Sequence, residues 1–180
     1  MIIERACHIH KEISEKQTFR GINRDSIIAA SIYIACRKEG VPRSARDIAA
    51  IFKLDPSDTT KGCKNAMAIM NDLDDDTTYT NATPHTFVVR DCSKLGLSEK
   101  LSRIAEFVAI QIEQKKMIPE NTPQSIAAGI IYFVTQEFNS PVSQQDIRAV
   151  SKISQVTMNK CFKKIDGMKD KLIPAHLLKR

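Results

Sequence analysis

Gln155, Val156, Thr157 and Asn159 lie within five residues of one another, and their side chains suit the edges of nucleic-acid bases. Amides of Asn and Gln can pair bidentately with adenine, and a Val methyl can pack on thymine. Lys160, Lys163 and Lys164 follow at a spacing that would meet backbone phosphates one turn farther along a helix. Ser151 and Ser154 precede them, where the unpaired N–H groups of a helix start would also suit phosphate. Arg43 and Arg46 sit in the run GVPRSAR, whose Gly and Pro read as a turn, so that two arginines could enter a minor groove. The charge distribution agrees. The whole chain nets +6, and residues 151–180 alone carry eight basic side chains against Asp166 and Asp170. A localised basic stripe points to a polyanion.

Other chemistries find little support. Cys7, His8 and His10 have no second Cys/His cluster to complete a four-ligand zinc site. Asp72, Asp74, Asp75 and Asp76 could hold Mg²⁺, but in their Thr-rich, polar setting they read as a linker. There is no Gly-rich phosphate loop, no pair of carboxylates in an apolar context and no nucleophile–base set. The chain is therefore expected to be neither an enzyme nor the holder of a cofactor. Five scattered cysteines, an odd number, favour free thiols in a reducing compartment. The first 17 residues carry acids and no long apolar core, unlike a secretory signal. No apolar run approaches the ~20 residues a bilayer span needs.

The elements that position these residues read as helices throughout. Ile2, Ile3, Ala6, Ile9 and Ile13 recur every three or four positions, which predicts an amphipathic helix over 2–17. Asn23 or Asp25 is the expected cap of a second helix, apolar nearly all round from 26 to 36 and stopped by Gly40 and Pro42. Ser44 caps a short helix to Phe52 with Asp47 at the capping-box position. Asp55-Pro56 opens a helix to Leu73. A polar stretch then interrupts, and helices restart at Pro84, Ser98, Pro123, Ser143 and Ser154. Nothing reads as a strand, so the fold class is all-α.

Residues 25–54 and 124–153 match at a constant offset of 99. The shared residues include Ser26/Ser125, Tyr33/Tyr132, Pro42/Pro141, Ser44/Ser143, Asp47/Asp146 and Lys53/Lys152. That offset exceeds the ~20–50 residue period of solenoid repeats and indicates two copies of one small domain. The expected boundaries are 1–76 for the first copy, 77–83 for the linker and 84–180 for the second. The second copy has five helices; the first has four, beginning where the second helix of the unit should begin. In the second copy a short capped helix, the three residues Lys152-Ile153-Ser154 and a longer helix form a helix-turn-helix. The corresponding helix of the first copy carries Lys61 and Lys64 and ends in aspartates, so it suits a protein surface better than a groove.

The stretch SIYIACRKEGVPRSARDIAAI, its weaker second copy and the ending ISQVTMNKCFKKI resemble the core of the transcription initiation factor IIB family, including its archaeal and polymerase III relatives. The resemblance covers essentially the whole chain. It implies tandem cyclin-like five-helix repeats, the first lacking its first helix, and no catalytic role. It further implies a core that binds the TATA-box-binding protein on bent promoter DNA and helps assemble the RNA polymerase preinitiation complex. By the same resemblance, the helix-turn-helix of the second repeat reads a flanking element, with Val156 and Thr157 where the family places base-proximal residues; Ser154, Gln155, Asn159, Lys160 and Lys163 are placed toward DNA by their types and spacing alone. The family's GVPR loop, matched here with Arg43, reaches the downstream minor groove; Arg46 follows at the same turn, and Lys61 and Lys64 suit a protein partner on their residue pattern alone. Asn159 departs from the arginine that strong readers of that element carry, which weighs against guanine readout. The family's zinc ribbon, its main route to polymerase, has no counterpart in this sequence. The implied location is nuclear, or cytoplasmic for an archaeal or viral source. The rival reading is a cyclin-type adaptor that binds a kinase or other protein without DNA.

Overall fold

Most of the described helices start where a side chain accepts from an unpaired N–H group, and the buried faces then decide how the helices assemble. The computed structural model describes residues 1–41, 43–71 and 83–173, and all regular structure among them is helical. The chain divides into two compact units, Met1–Ala82 and Thr83–Arg180. The expected linker, 77–83, and the aspartates at 72 and 74–76 lie outside the described residues, apart from Thr83.

The first unit contains α1 (Ile2–Lys16), α2 (Ile22–Lys38), α3 (Ala45–Phe52) and α4 (Pro56–Asn71). Helix α1 buries Ala6, Ile9 and Ile13. Ile3, expected on that stripe, is 75% exposed, because it falls a full residue off the line that faces α2. Helix α2 is the centre of the unit and packs against α1, α3 and α4. It opens at Gly21 rather than at Asn23 or Asp25. Gly21 takes φ +54° and ψ −140°, and its carbonyl accepts from Arg24 N–H at 2.9 Å. That backbone conformation is open to glycine and costly to other residues, so the turn wins over the side-chain cap. Two buried hydroxyls inside α2 are satisfied locally: Ser26 donates to Ile22 O and Ser31 to Ile27 O.

The second unit contains α5 (Pro84–Lys94), α6 (Glu99–Gln114), α7 (Pro123–Glu137), α8 (Gln144–Ser151), α9 (Gln155–Asp166) and α10 (Lys169–Leu172). Thr83, Ser98 and Thr122 cap α5, α6 and α7, with Pro at the start of α5 and α7. Residues 125–135 of α7 are buried on every side except at Tyr132, so α7 is the central helix. The short α10, absent from the sequence reading, places Leu172 and Ile173 at 1% and 2% exposure, and it packs against α6. Four residues are too few to show a helical period.

The two units share their punctuation. Ser44 with Asp47, and Ser143 with Asp146, both form complete capping boxes. Lys53 and Lys152 both end the short helix in the left-handed region, at φ +54° and +57°. The central helices end alike, with Val41 N–H donating to Cys36 O and Ser140 N–H donating to Thr135 O. These are the 6→1 bonds of a Schellman end, closed by Gly40 in one unit and Asn139 in the other.

Candidate nucleic-acid interface

The second helix-turn-helix is built by fixing α9 from three sides. Ser143 accepts from Asp146 N–H and Asp146 accepts from Ser143 N–H, which closes the start of α8. Both hydrogen bonds from Ser143, hydroxyl first and backbone second, hold the Asp146 carboxyl below its usual range. Gln124 on α7 donates to Ser151 O at 2.8 Å and ties the turn to the central helix. Ser154 then caps α9, accepting from Thr157 N–H at 3.2 Å.

The inner face of α9 is Met158, Cys161 and Ile165, all fully buried against α7. The approach is close: a Cβ on Gly129 of α7 would fall 2.5 Å from Cys161 Cβ. Phe162 stacks at a tilt on Tyr132, with centroids 4.9 Å apart. With these residues turned in, the helical period turns Gln155, Val156, Lys160 and Lys163 out. All four are exposed, Val156 at 65%. The valine side chain left in water on this otherwise well-packed helix has no role in the core.

Several expected contacts are altered. Ser151 is fully buried, with its hydroxyl accepting from Ile153 N–H, so it cannot meet a phosphate. The Ser154 and Thr157 hydroxyls lie 2.9 Å apart and serve the cap. Lys164 is engaged by Glu120 and by Asn121 Oδ1, the latter at 2.9 Å. The hydrogen bond that Lys164 donates to Glu120, more than the Lys164 charge itself, lowers the Glu120 carboxyl. The lysines of α9 with no ion pair or hydrogen bond to a described residue are therefore Lys160 and Lys163. Lys179 and Arg180, part of the basic tail, lie outside the described residues.

Asn159 is half-buried and does not stand alone. Gln155 Nε2 donates to Gln144 Oε1 at 2.8 Å, and Gln144 Nε2 donates to Asn159 Oδ1 at 2.5 Å. Sequence reasoning missed Gln144. Its only signal was position: the first residue of α8 lies across the turn from the first turns of α9.

In the first unit, Arg43 is exposed in the loop between α2 and α3, and Arg46 is exposed in the first turn of α3. Burial raises the Cys36 thiol, and the nearby Arg43 charge partly opposes that rise. Pro42 lies outside the described residues. Lys61 and Lys64 are exposed on α4, with Lys61 Nζ 3.5 Å from Asp58. The offset of 99 that relates the copies also relates Lys61 to Lys160 and Lys64 to Lys163. Both units thus present the same lysine pair on equivalent helices. Among the described residues no group of three or more His, Cys, Asp or Glu side chains could hold a metal. No described helix is long and apolar enough to cross a membrane.

Known proteins are similar to this chain over nearly its whole length. Residues 1–67 and 77–167 match the family model for the transcription factor TFIIB repeat. Transcription initiation factor IIB of Encephalitozoon cuniculi (strain GB-M1) is 31% identical over 180 residues, covering 99% of this chain and 56% of that protein. The factor of the same name from Xenopus laevis is 28% identical over 97% of this chain and 54% of its own. The Drosophila melanogaster factor is 28% identical over 96% and 53%. The chain spans about half the length of the curated relatives it matches.

Proposed function

Because this chain belongs to the transcription factor TFIIB repeat family, we propose that it acts as the core of a general transcription initiation factor. It binds promoter DNA already held by the TATA-box-binding protein and helps assemble the RNA polymerase preinitiation complex. Its two repeats, 1–76 and 84–180, are joined by 77–83, and in a eukaryotic cell it works in the nucleus. Helix α9 enters the major groove beside the TATA element, with Val156, Gln155 and Asn159 toward base edges. Lys160 and Lys163 meet phosphates. Ser154 and Thr157 hold the helix start close to the backbone, where its N–H groups favour an anion. Arg43 and Arg46 reach a minor groove, and Lys61 and Lys64 face a protein partner. The reaction chemistry belongs to the polymerase.

The observation that carries this reading is the outward turn of α9. It combines an exposed apolar side chain, two amides and two lysines without ion partners among the described residues on one strip. That combination suits a duplex edge, since bases offer methyls and hydrogen-bonding groups while phosphates offer charge. The test is a mobility-shift and footprinting series on a TATA promoter, with and without the TATA-box-binding protein. The expected result is a complex that forms only when that protein is present, with protection extending beyond the TATA element. Binding to a protein partner with no dependence on DNA would replace this reading with the adaptor.

A further inference from the structure

Gln144 opens α8, yet its side chain bridges two residues of α9, Gln155 and Asn159. Those two bonds decide which end of each amide is left for a ligand. A primary amide offers donors only at nitrogen and lone pairs only at oxygen. Asn159 turns its oxygen to Gln144, so its NH₂ group is the end that remains. Gln155 gives its nitrogen to Gln144, so its oxygen remains. Val156, 65% exposed, stands on the same turn.

We propose that Gln144 is a specificity-positioning residue that sets a donor at Asn159 and an acceptor at Gln155 beside the methyls of Val156. This rests on the proposed docking of α9 in the major groove. The base under Asn159 then has to offer an acceptor, such as a purine N7 or thymine O4, and cytosine with its amino group is disfavoured there. The base under Gln155 has to offer an amino group, from adenine or cytosine. Without the bridge, each amide rotates freely and accepts either pattern, so choice weakens while phosphate contact persists.

The test measures binding of the full chain, with the TATA-box-binding protein, to a promoter library randomised on the side that α9 covers. Gln144→Leu is expected to lower base preference about fivefold at the positions under Asn159 and Gln155, the scale of one lost directional hydrogen bond. Its affinity for the library as a whole should change less than about twofold, since the phosphate contacts are untouched. Gln144→Glu still accepts from Gln155 but cannot donate to Asn159. Its carboxylate draws the Asn159 NH₂ inward, so preference should move toward bases that present an amino group. Thermal melting of both variants, matching the parent, shows the bundle intact. If both keep the parental preference while Val156→Ala changes it, α9 reads DNA without help from Gln144 and the proposal is overturned. If Val156→Ala also changes no position, groove docking itself fails, and the proposal fails with it.

Discussion

Placing a methyl on Gly129 sets two large effects against each other. In the interior of α7, alanine should favour the helix over glycine by about 1 kcal/mol. The structure opposes this gain. The new Cβ would lie 2.5 Å from Cys161 Cβ and 3.2 Å from the Cys161 carbonyl carbon and the Phe162 nitrogen. Ordinary carbon contacts are about 3.5–4.0 Å, so more than about 1 Å must open between two helices. Two of the three blocking atoms are backbone and cannot rotate away. Overpacking of this kind costs about 1–3 kcal/mol, and rigid neighbours put this site at the upper end. Gly129→Ala should therefore destabilise the second unit by about 1–2 kcal/mol after the helical gain is subtracted. Urea unfolding followed by circular dichroism measures it. A compensating change is available from the first unit, where Ala30 and Gly62 hold the positions equivalent to Gly129 and Cys161. There a Cβ on Gly62 would fall 2.4 Å from Ser26 O. Each unit thus relieves the same helix crossing with one glycine, placed on opposite helices. Adding Cys161→Gly to Gly129→Ala should show a favourable coupling of at least about 1 kcal/mol in a double-mutant cycle. A Gly129→Ala protein as stable as the parent, or additive behaviour in the cycle, would refute the close crossing.

Thr59 is fully buried with no partner for its hydroxyl among the described residues, so Thr59→Val should stabilise the first unit by about 1 kcal/mol in the same unfolding assay. Burial raises the thiols of Cys36 and Cys161, and pushes Cys63 up to about 11 and Cys92 up to about 12, whereas Cys7 is exposed. At mildly alkaline pH a thiol reagent should titrate one cysteine rapidly and the other four only on unfolding; mass spectrometry of the fast product should find the label on Cys7. The Asp146 carboxyl lies below its ordinary value of 3.8, so its stabilisation is present above that pH and is lost as pH falls toward its folded value. The melting-temperature gap between the parent and Asp146→Ala should therefore be constant near neutrality and shrink on acidification; a gap that grew toward acid would contradict the capping box.

Much of the fold was legible because its signals are local. Ser44, Ser143, Ser98, Thr122 and the prolines after Asp55, Thr83 and Thr122 each announce a helix start through one side chain or one ring. The buried run of α7 announces a central helix. What stayed hidden depends on partners distant in sequence or on backbone choices open to many residues. Lys53, Lys116, Asn139 and Lys152 take positive φ, a conformation their types do not advertise, because the helix end around them supplies the hydrogen bonds. Gly21 outcompeted two good capping residues nearby. At the interface, the outward strip of α9 followed from its period. The capture of Lys164 by Glu120 and Asn121 did not, since those partners lie more than forty residues away in sequence. Nor did the bridge through Gln144, because a glutamine at the start of a helix carries no mark of the amides it will meet.

Salt dependence of promoter-complex binding tests the central claim most directly. Each phosphate contact contributes a slope of about −0.9 to log K against log salt. Lys160→Glu with Lys163→Glu should weaken binding to the promoter held by the TATA-box-binding protein and flatten that slope by about 2. Parental slope and affinity in a variant that melts like the parent would mean that α9 does not lie against the duplex.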